Sequence, residues 1–161
     1  RSRDYVPGNL CTTGGGGHTA YFDFLRQELM PMIEATYGGD PKRRILFGHS
    51  HGGSFVLYAL FAQAPGAHSF ASYLPVDSSI SFLPDQVYAW DRAYAVAYAE
   101  LPVKVHLSYA SGGNGAANAP FGQTIEQHRY GRLGFRSVLY TGTHSGIVPT
   151  AFSEGLAFAL G

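Results

Sequence analysis

Residues 48–53 read Gly48-His49-Ser50-His51-Gly52-Gly53, a match to the pattern G-x-S-x-G. A serine between two glycines, at the tip of a tight strand-to-helix turn, is held where its hydroxyl can act as a nucleophile. The flanks fit that frame. The apolar run Ile45-Leu46-Phe47 precedes the motif, and Ser54-Phe55-Val56-Leu57-Tyr58-Ala59-Leu60 follows it with the character of a buried helix. Gly48 and Gly52 are expected to be the two positions where a side chain would crowd the neighbouring strand or helix. The helix start would turn its N–H groups and positive dipole end toward developing negative charge, with the His51 N–H as oxyanion donor.

A serine hydroxyl is a weak nucleophile near neutral pH and needs an adjacent base. His144, in the segment Tyr140-Thr141-Gly142-Thr143-His144-Ser145-Gly146, follows the last stretch that reads as a strand and is the candidate. A histidine there can take the serine proton and later return it to a leaving group. His49 and His51 flank the nucleophile and are expected to line a pocket, whereas His18, His68, His106 and His128 fit packing or surface roles. No H-x-x-x-H pair or Cys/His cluster suggests a metal site.

The elements that must position these residues alternate between the two periodicities. Phe22, Leu25, Leu29, Met32 and Ile33 recur at helical spacing from Thr19, with a kink expected at Pro31. Arg44 to Phe47 reads as a strand, 53–63 as a helix, Phe70 to Val76 as a strand ending near Asp77, and Leu83 to Tyr98 as a helix. Val103 to Tyr109 and Arg136 to Tyr140 are two more strands. Between them, Ser111 to Pro120 reads as loop and Phe121 to Leu133 as helix, and Val148 to Leu160 closes the chain as a helix. Residues 1–18, ending in Gly14-Gly15-Gly16-Gly17, read as a surface loop. Strands alternating with helices predict an α/β fold, a mostly parallel sheet with helices on both faces. In such a sheet functional residues collect at the carboxyl ends of the strands.

A length of 161 residues is one domain's worth of chain. Zero formal net charge and a charged fraction of 14% give no electrostatic case for nucleic acid as a partner. No 18-residue apolar run exists to span a bilayer. Cys11 is the single cysteine and has no partner for an internal disulfide.

The motifs together resemble the putative esterase family of α/β hydrolases, which includes esterase D-like enzymes and siderophore (enterochelin-type) esterases. The resemblance rests on Arg3-Asp4-Tyr5-Val6-Pro7, on the glycine run followed by Phe24-Leu25 and Glu28-Leu29, and on Pro31-Met32-Ile33-Glu34 with Tyr37. It continues through Arg44-Ile45-Leu46-Phe47-Gly48-His49-Ser50 and Thr143-His144-Ser145. It implies hydrolysis of a small-molecule carboxylic ester through an acyl-enzyme on Ser50, with His144 as base and no cofactor. Two other readings share the fold: an acyltransferase of the mycolyl-transferase type, and an inactive binding module. The crossover carrying Tyr88, Trp90, Tyr94 and Tyr98 commonly caps the pocket in this fold, which makes Trp90 a candidate substrate contact.

Two departures from the family are visible. Its members usually carry a carboxylate after the strand matching Val103–Tyr109, but here that stretch is Ala110-Ser111-Gly112-Gly113-Asn114-Gly115. Asp77 is the nearest acid by position and Glu126 a poorer one. Asn114 or a backbone carbonyl is an alternative orienting group, and a Ser–His dyad with a weak third member is the expectation. The second departure is length. The chain reads as the C-terminal part of a larger domain lacking its N-terminal strands, with an upstream segment or a homo-oligomer expected to cover the sheet edge.

Overall fold

A computed structural model describes residues 2–8 and 15–161. Four strands, β1 (Ile45–His49), β2 (Ser72–Val76), β3 (Lys104–Gly112) and β4 (Gly134–Thr143), form one all-parallel sheet in the order β1-β2-β3-β4. The strands lie in sequence order, so crossovers of one hand, right-handed by the general rule for parallel strands, carry every connecting helix to the same face. Those helices are α4 (His51–Phe61), α5 (Pro84–Ala97) and α6 (Gly115–His128). The main core lies beneath them and includes Phe55, Leu57, Leu60, Tyr73, Val87, Leu107, Phe121 and Ile125. The last helix, α7 (Val148–Leu160), covers the opposite face, where Ile147 and Ala151 pack with Val76 and Ala110. The expected α/β layering, with helices on both faces, is therefore present.

Strand and helix ends differ from the sequence reading by a few residues, as where α6 stops at His128 and β4 spans Gly134–Thr143, and three segments differ in kind. Residues 1–18 are not all loop: Ser2–Tyr5 is a helical turn (α1), Val6 is buried, and Gly16 and Gly17 donate to the carbonyls of Val6 and Arg3. The Gly14 end of the expected glycine loop and Cys11 lie outside the described residues. The helix over 18–37 is continuous but changes pitch. It runs from α2 (His18–Phe24) through a π-helical turn at Leu25–Leu29 into α3 (Met30–Tyr37). Pro31 has no N–H for the α ladder, and the wider turn just before it accommodates the missing bond. The stretch expected as loop over 111–120 is half helix, because α6 starts at Gly115 and carries Pro120 inside it. Ala116, Ala117 and Ala119 favour helix once Phe121 and Ile125 anchor the segment to the sheet.

His106 sits in the middle of β3, fully buried under α7, with Phe158 at 5.8 Å and Gly155 against it. Neither ring nitrogen has a hydrogen-bond partner. Burial, reinforced by Arg136 and opposed by Glu154, lowers its pKa from the ordinary histidine value. The folded state therefore binds the proton less readily than the unfolded chain. Its contribution to stability is intact above about pH 6.5 and is lost as the pH falls below that value. The melting temperature should drop between pH 7 and pH 5. His106→Leu, which fills the site without a titratable group, should flatten that dependence and raise Tm at pH 7. Parallel Tm–pH curves for the two proteins would show that another group controls the transition.

Candidate active site

Because the sheet is all parallel, the carboxyl ends of its strands share one edge. Ser50 is the first residue past β1, Asp77 the first past β2, and His144 the first past β4. Chain topology alone thus gathers three residues that are far apart in sequence.

Ser50 has φ 62° and ψ −123°, and Asp77 has φ 43°. Only four non-glycine residues among those described have positive φ, and two of them are these. Strain of this kind persists where the surroundings over-determine it. At Ser50 they do. Its N–H donates to Val76 O (3.0 Å), and its carbonyl accepts from the N–H groups of Ser54 and Ser79 (3.1 Å each). A Cβ at Gly48 would fall on the Gly52 carbonyl, so a glycine is required where α4 passes over β1. The expectation for Gly52 fails, since a Cβ there meets nothing within 4 Å. The second close approach is at Gly53, whose Cβ would lie 2.5 Å from Ser78 Oγ. Gly48→Ala should therefore destabilise the fold by about 3 kcal/mol or more, whereas Gly52→Ala should be neutral or stabilise it by up to ~1 kcal/mol. Urea midpoints measure both, and equal losses at the two positions would contradict this packing.

His144 Nδ1 lies 2.5 Å from Asp77 Oδ2. An ionised carboxylate only accepts, so Nδ1 carries the proton and Nε2 is left with the lone pair a base needs. Asp77 is fully buried, and its carboxylate also accepts from the N–H groups of Ala110 (2.9 Å) and Asn114 (3.0 Å). Asn114 Nδ2 in turn donates to the Asp77 carbonyl (2.9 Å). Asn114 therefore holds the acid and does not orient the imidazole. The acid-free loop after β3 has a physical complement here: a Cβ at Gly113 would fall on Asp77 Oδ2. The space after β3 is filled by a carboxylate reaching across from β2. Glu126 is exposed near the end of α6, the helix that leads back to the amino ends of the strands.

His49 Nε2 donates to the His144 carbonyl (2.9 Å), and the two rings are 4.3 Å apart. The same residue lines a cavity of about 270 Å³ with Gly48, Gly52, Tyr21 and Phe55. His51 opens α4, where helix geometry points the first backbone N–H groups out of the helix end. Trp90 is not brought to this site. It packs 5.2 Å from Tyr58, two turns along α4 from Ser50, with His18 at 6.2 Å. On the His51 side of Ser50 the aromatic ring is Phe82, 69% exposed and edge-on to His51 at 5.7 Å. It belongs to a single 3₁₀ turn (Ile80–Phe82), too short for any periodicity to reveal in the sequence. No hydrogen bond joins Ser50 Oγ to the His144 ring; Ser50 Oγ instead pairs with Ser79 Oγ at 3.2 Å. Bonds between nucleophile and base commonly tighten only when substrate binds.

With this geometry the comparisons with known proteins become specific. Residues 2–135 match the model of the family described as "Putative esterase", a span that includes Ser50 and Asp77 and stops short of His144. The chain belongs to that family. Over 65 residues it is 43% identical to the ferri-bacillibactin esterase BesA of Bacillus subtilis, covering 40% of this chain and 22% of that protein. Over 82 residues it is 34% identical to a siderophore triacetylfusarinine C esterase of Aspergillus fumigatus, covering 50% and 27%. The matched stretches thus span about a quarter of the length of these curated relatives. The fold superposes on the BES protein of Bacillus cereus with a TM-score of 0.86 and 25% identity, covering 98% of this chain and 62% of that one. An IroE-like serine hydrolase of Shewanella oneidensis gives a TM-score of 0.82 at 23% identity, covering 97% and 55%. No helix among the described residues is long and apolar enough to cross a membrane.

Proposed function

We propose that this chain carries the catalytic machinery of a serine carboxylic-ester hydrolase acting through an acyl-enzyme on Ser50. The observation that carries the reading is the 2.5 Å contact of His144 Nδ1 with the buried Asp77, at the strand edge from which Ser50 also projects. In the first step the Ser50 proton passes to His144 Nε2 as Oγ bonds to the ester carbon, and the carbonyl electron pair moves onto oxygen. The N–H of His51, backed by the α4 dipole, faces that oxyanion. Collapse of the intermediate expels the alcohol, which takes its proton from His144. A water molecule then repeats the sequence on the acyl-enzyme. Asp77 keeps the imidazole in the Nδ1–H tautomer and stabilises the imidazolium formed in each half-reaction.

For the substrate class, the named activities of the two relatives support an ester of a siderophore. His49 and the exposed Phe82, on either side of Ser50, are the side chains positioned to bear on such a ligand. Phe82 offers an aromatic face next to the oxyanion donor. The test is rapid-mixing hydrolysis of p-nitrophenyl acetate followed by turnover of ferric and iron-free siderophore esters. A stoichiometric burst of p-nitrophenol with siderophore cleavage supports both parts of the reading. A burst without siderophore cleavage removes the substrate class and leaves the mechanism. Acyl transfer to a sugar acceptor in preference to water would replace hydrolysis by transferase chemistry.

A further inference from the structure

The mechanism above leaves one polar contact of the nucleophile unused. Ser79 is 2% exposed, and its hydroxyl lies 3.2 Å from Ser50 Oγ. Its main-chain N–H independently holds the Ser50 carbonyl at 3.1 Å, so the side-chain and backbone contacts are separable. The neighbouring Ser78 hydroxyl makes no hydrogen bond and lies against Gly53. The loop that delivers Asp77 to His144 thus also delivers one specific hydroxyl to Ser50.

We propose that Ser79 is a positioning residue for the nucleophile, its hydroxyl donating to Ser50 Oγ so that the Ser50 proton is left for His144; this rests on the serine-hydrolase reading. A hydroxyl has one proton and two lone pairs. If Ser50 gives its proton to Nε2, it can meet Ser79 only as an acceptor, and Ser79 must donate. That bond fixes the direction of the remaining Ser50 O–H. It also responds to the chemistry. As the proton leaves and the C–O bond forms, negative charge grows on Oγ, and a hydrogen bond to a charged acceptor is shorter and stronger than one to a neutral hydroxyl. Once Oγ has become an ester oxygen it is a poorer acceptor and the bond weakens. When water has added to the acyl-enzyme and the tetrahedral intermediate collapses, the C–Oγ bond breaks, charge returns to Oγ and the bond strengthens again. The contact therefore favours the transition states on both sides of the acyl-enzyme over the states between them, and it should appear in kcat more than in KM.

Ser79→Ala removes the hydroxyl and keeps the backbone bond to Ser50. With p-nitrophenyl acetate, kcat should fall roughly 10- to 100-fold, the range expected for a hydrogen bond to a charged group, while KM stays within about twofold. The rate constant for fluorophosphonate inactivation should fall by a similar factor, because that reagent also requires Oγ to attack. The apparent pKa of the pH–rate profile should not move, since His144 and Asp77 are untouched. Ser79→Cys keeps the size of the side chain and replaces a strong donor with a weak one. It should show the same loss and decides the matter if the alanine variant does not fold. Ser78→Ala should leave all these constants unchanged. Wild-type kcat and inactivation rate in folded Ser79→Ala or Ser79→Cys, with Ser50→Ala inactive, would overturn this inference and leave the serine mechanism standing. Wild-type activity in Ser50→Ala would instead overturn the mechanism itself.

Discussion

Ser50→Ala should lower kcat for ester hydrolysis by at least about 10³-fold and up to roughly 10⁶-fold, with little change in the urea midpoint. The magnitude follows from the way a nucleophile and its base act as a unit: removing either disables the same step, and what remains is residual catalysis by binding and the oxyanion site. His144→Ala should therefore be nearly as damaging, and the Ser50→Ala/His144→Ala double variant no worse than either single one. The elbow should survive the substitution. The positive φ of Ser50 is held by three backbone bonds, to Val76, Ser54 and Ser79, none of which uses the hydroxyl. A double variant whose loss is the product of two large independent losses would mean that the two residues do not share a step.

Asp77→Asn should cost about 10³- to 10⁴-fold in kcat, far more than the small effect expected of a dyad with a weak third member. The carboxylate is fully buried and satisfied by two backbone N–H donors besides His144. An amide there has one carbonyl oxygen for three donors, and its NH₂ group would face either a backbone N–H or the imidazole. A donor turned toward Nδ1 selects the opposite tautomer and leaves Nε2 protonated, unable to accept the serine proton. Since a proton is then easier to remove at high pH, activity of the variant should recover partly as the pH rises. Stability should also fall by about 1–3 kcal/mol, because a buried N–H loses its acceptor. Kinetics at matched fractions of folded protein separate the two effects. A loss of no more than about 10-fold in kcat would restore the dyad.

What could be read from the sequence was what is locally encoded. The turn at Ser50 is legible because the close approach at Gly48, the apolar strand before it and the buried helix after it all fall within residues 45–60. His144 was readable because the strand-and-helix alternation predicts a parallel sheet, which assigns each strand's following residue to one edge. The Asp77–His144 pairing was not legible in the same way, since it depends on which strand's loop reaches the imidazole. The absence of an acid after β3 looked like a missing group. In three dimensions Gly113 leaves the space that the Asp77 carboxylate occupies, and Asn114 supplies a donor to it. Trp90 shows the opposite failure. An aromatic residue on a crossover helix reads equally well as pocket or packing, and the crossing of α5 over α4 decides for Tyr58. The start of α6 was hidden because glycine, alanine and asparagine together resemble a loop in composition. Its Asn118 side chain is in fact buried and donates to Ser78 O and Asn114 O, tying the helix to the site loop.

A covalent acyl group on Ser50 during turnover can be trapped by acid-quenching the reaction with p-nitrophenyl acetate in the burst phase and located by peptide mass spectrometry. One acetyl group is expected on the peptide containing Gly48-His49-Ser50-His51-Gly52, accumulating in the wild-type protein, absent in Ser50→Ala and formed much more slowly in Asp77→Asn. Turnover with no acetylated peptide at any quench time, or an acetyl group on a histidine or on Ser79 instead, would contradict an acyl-enzyme on Ser50.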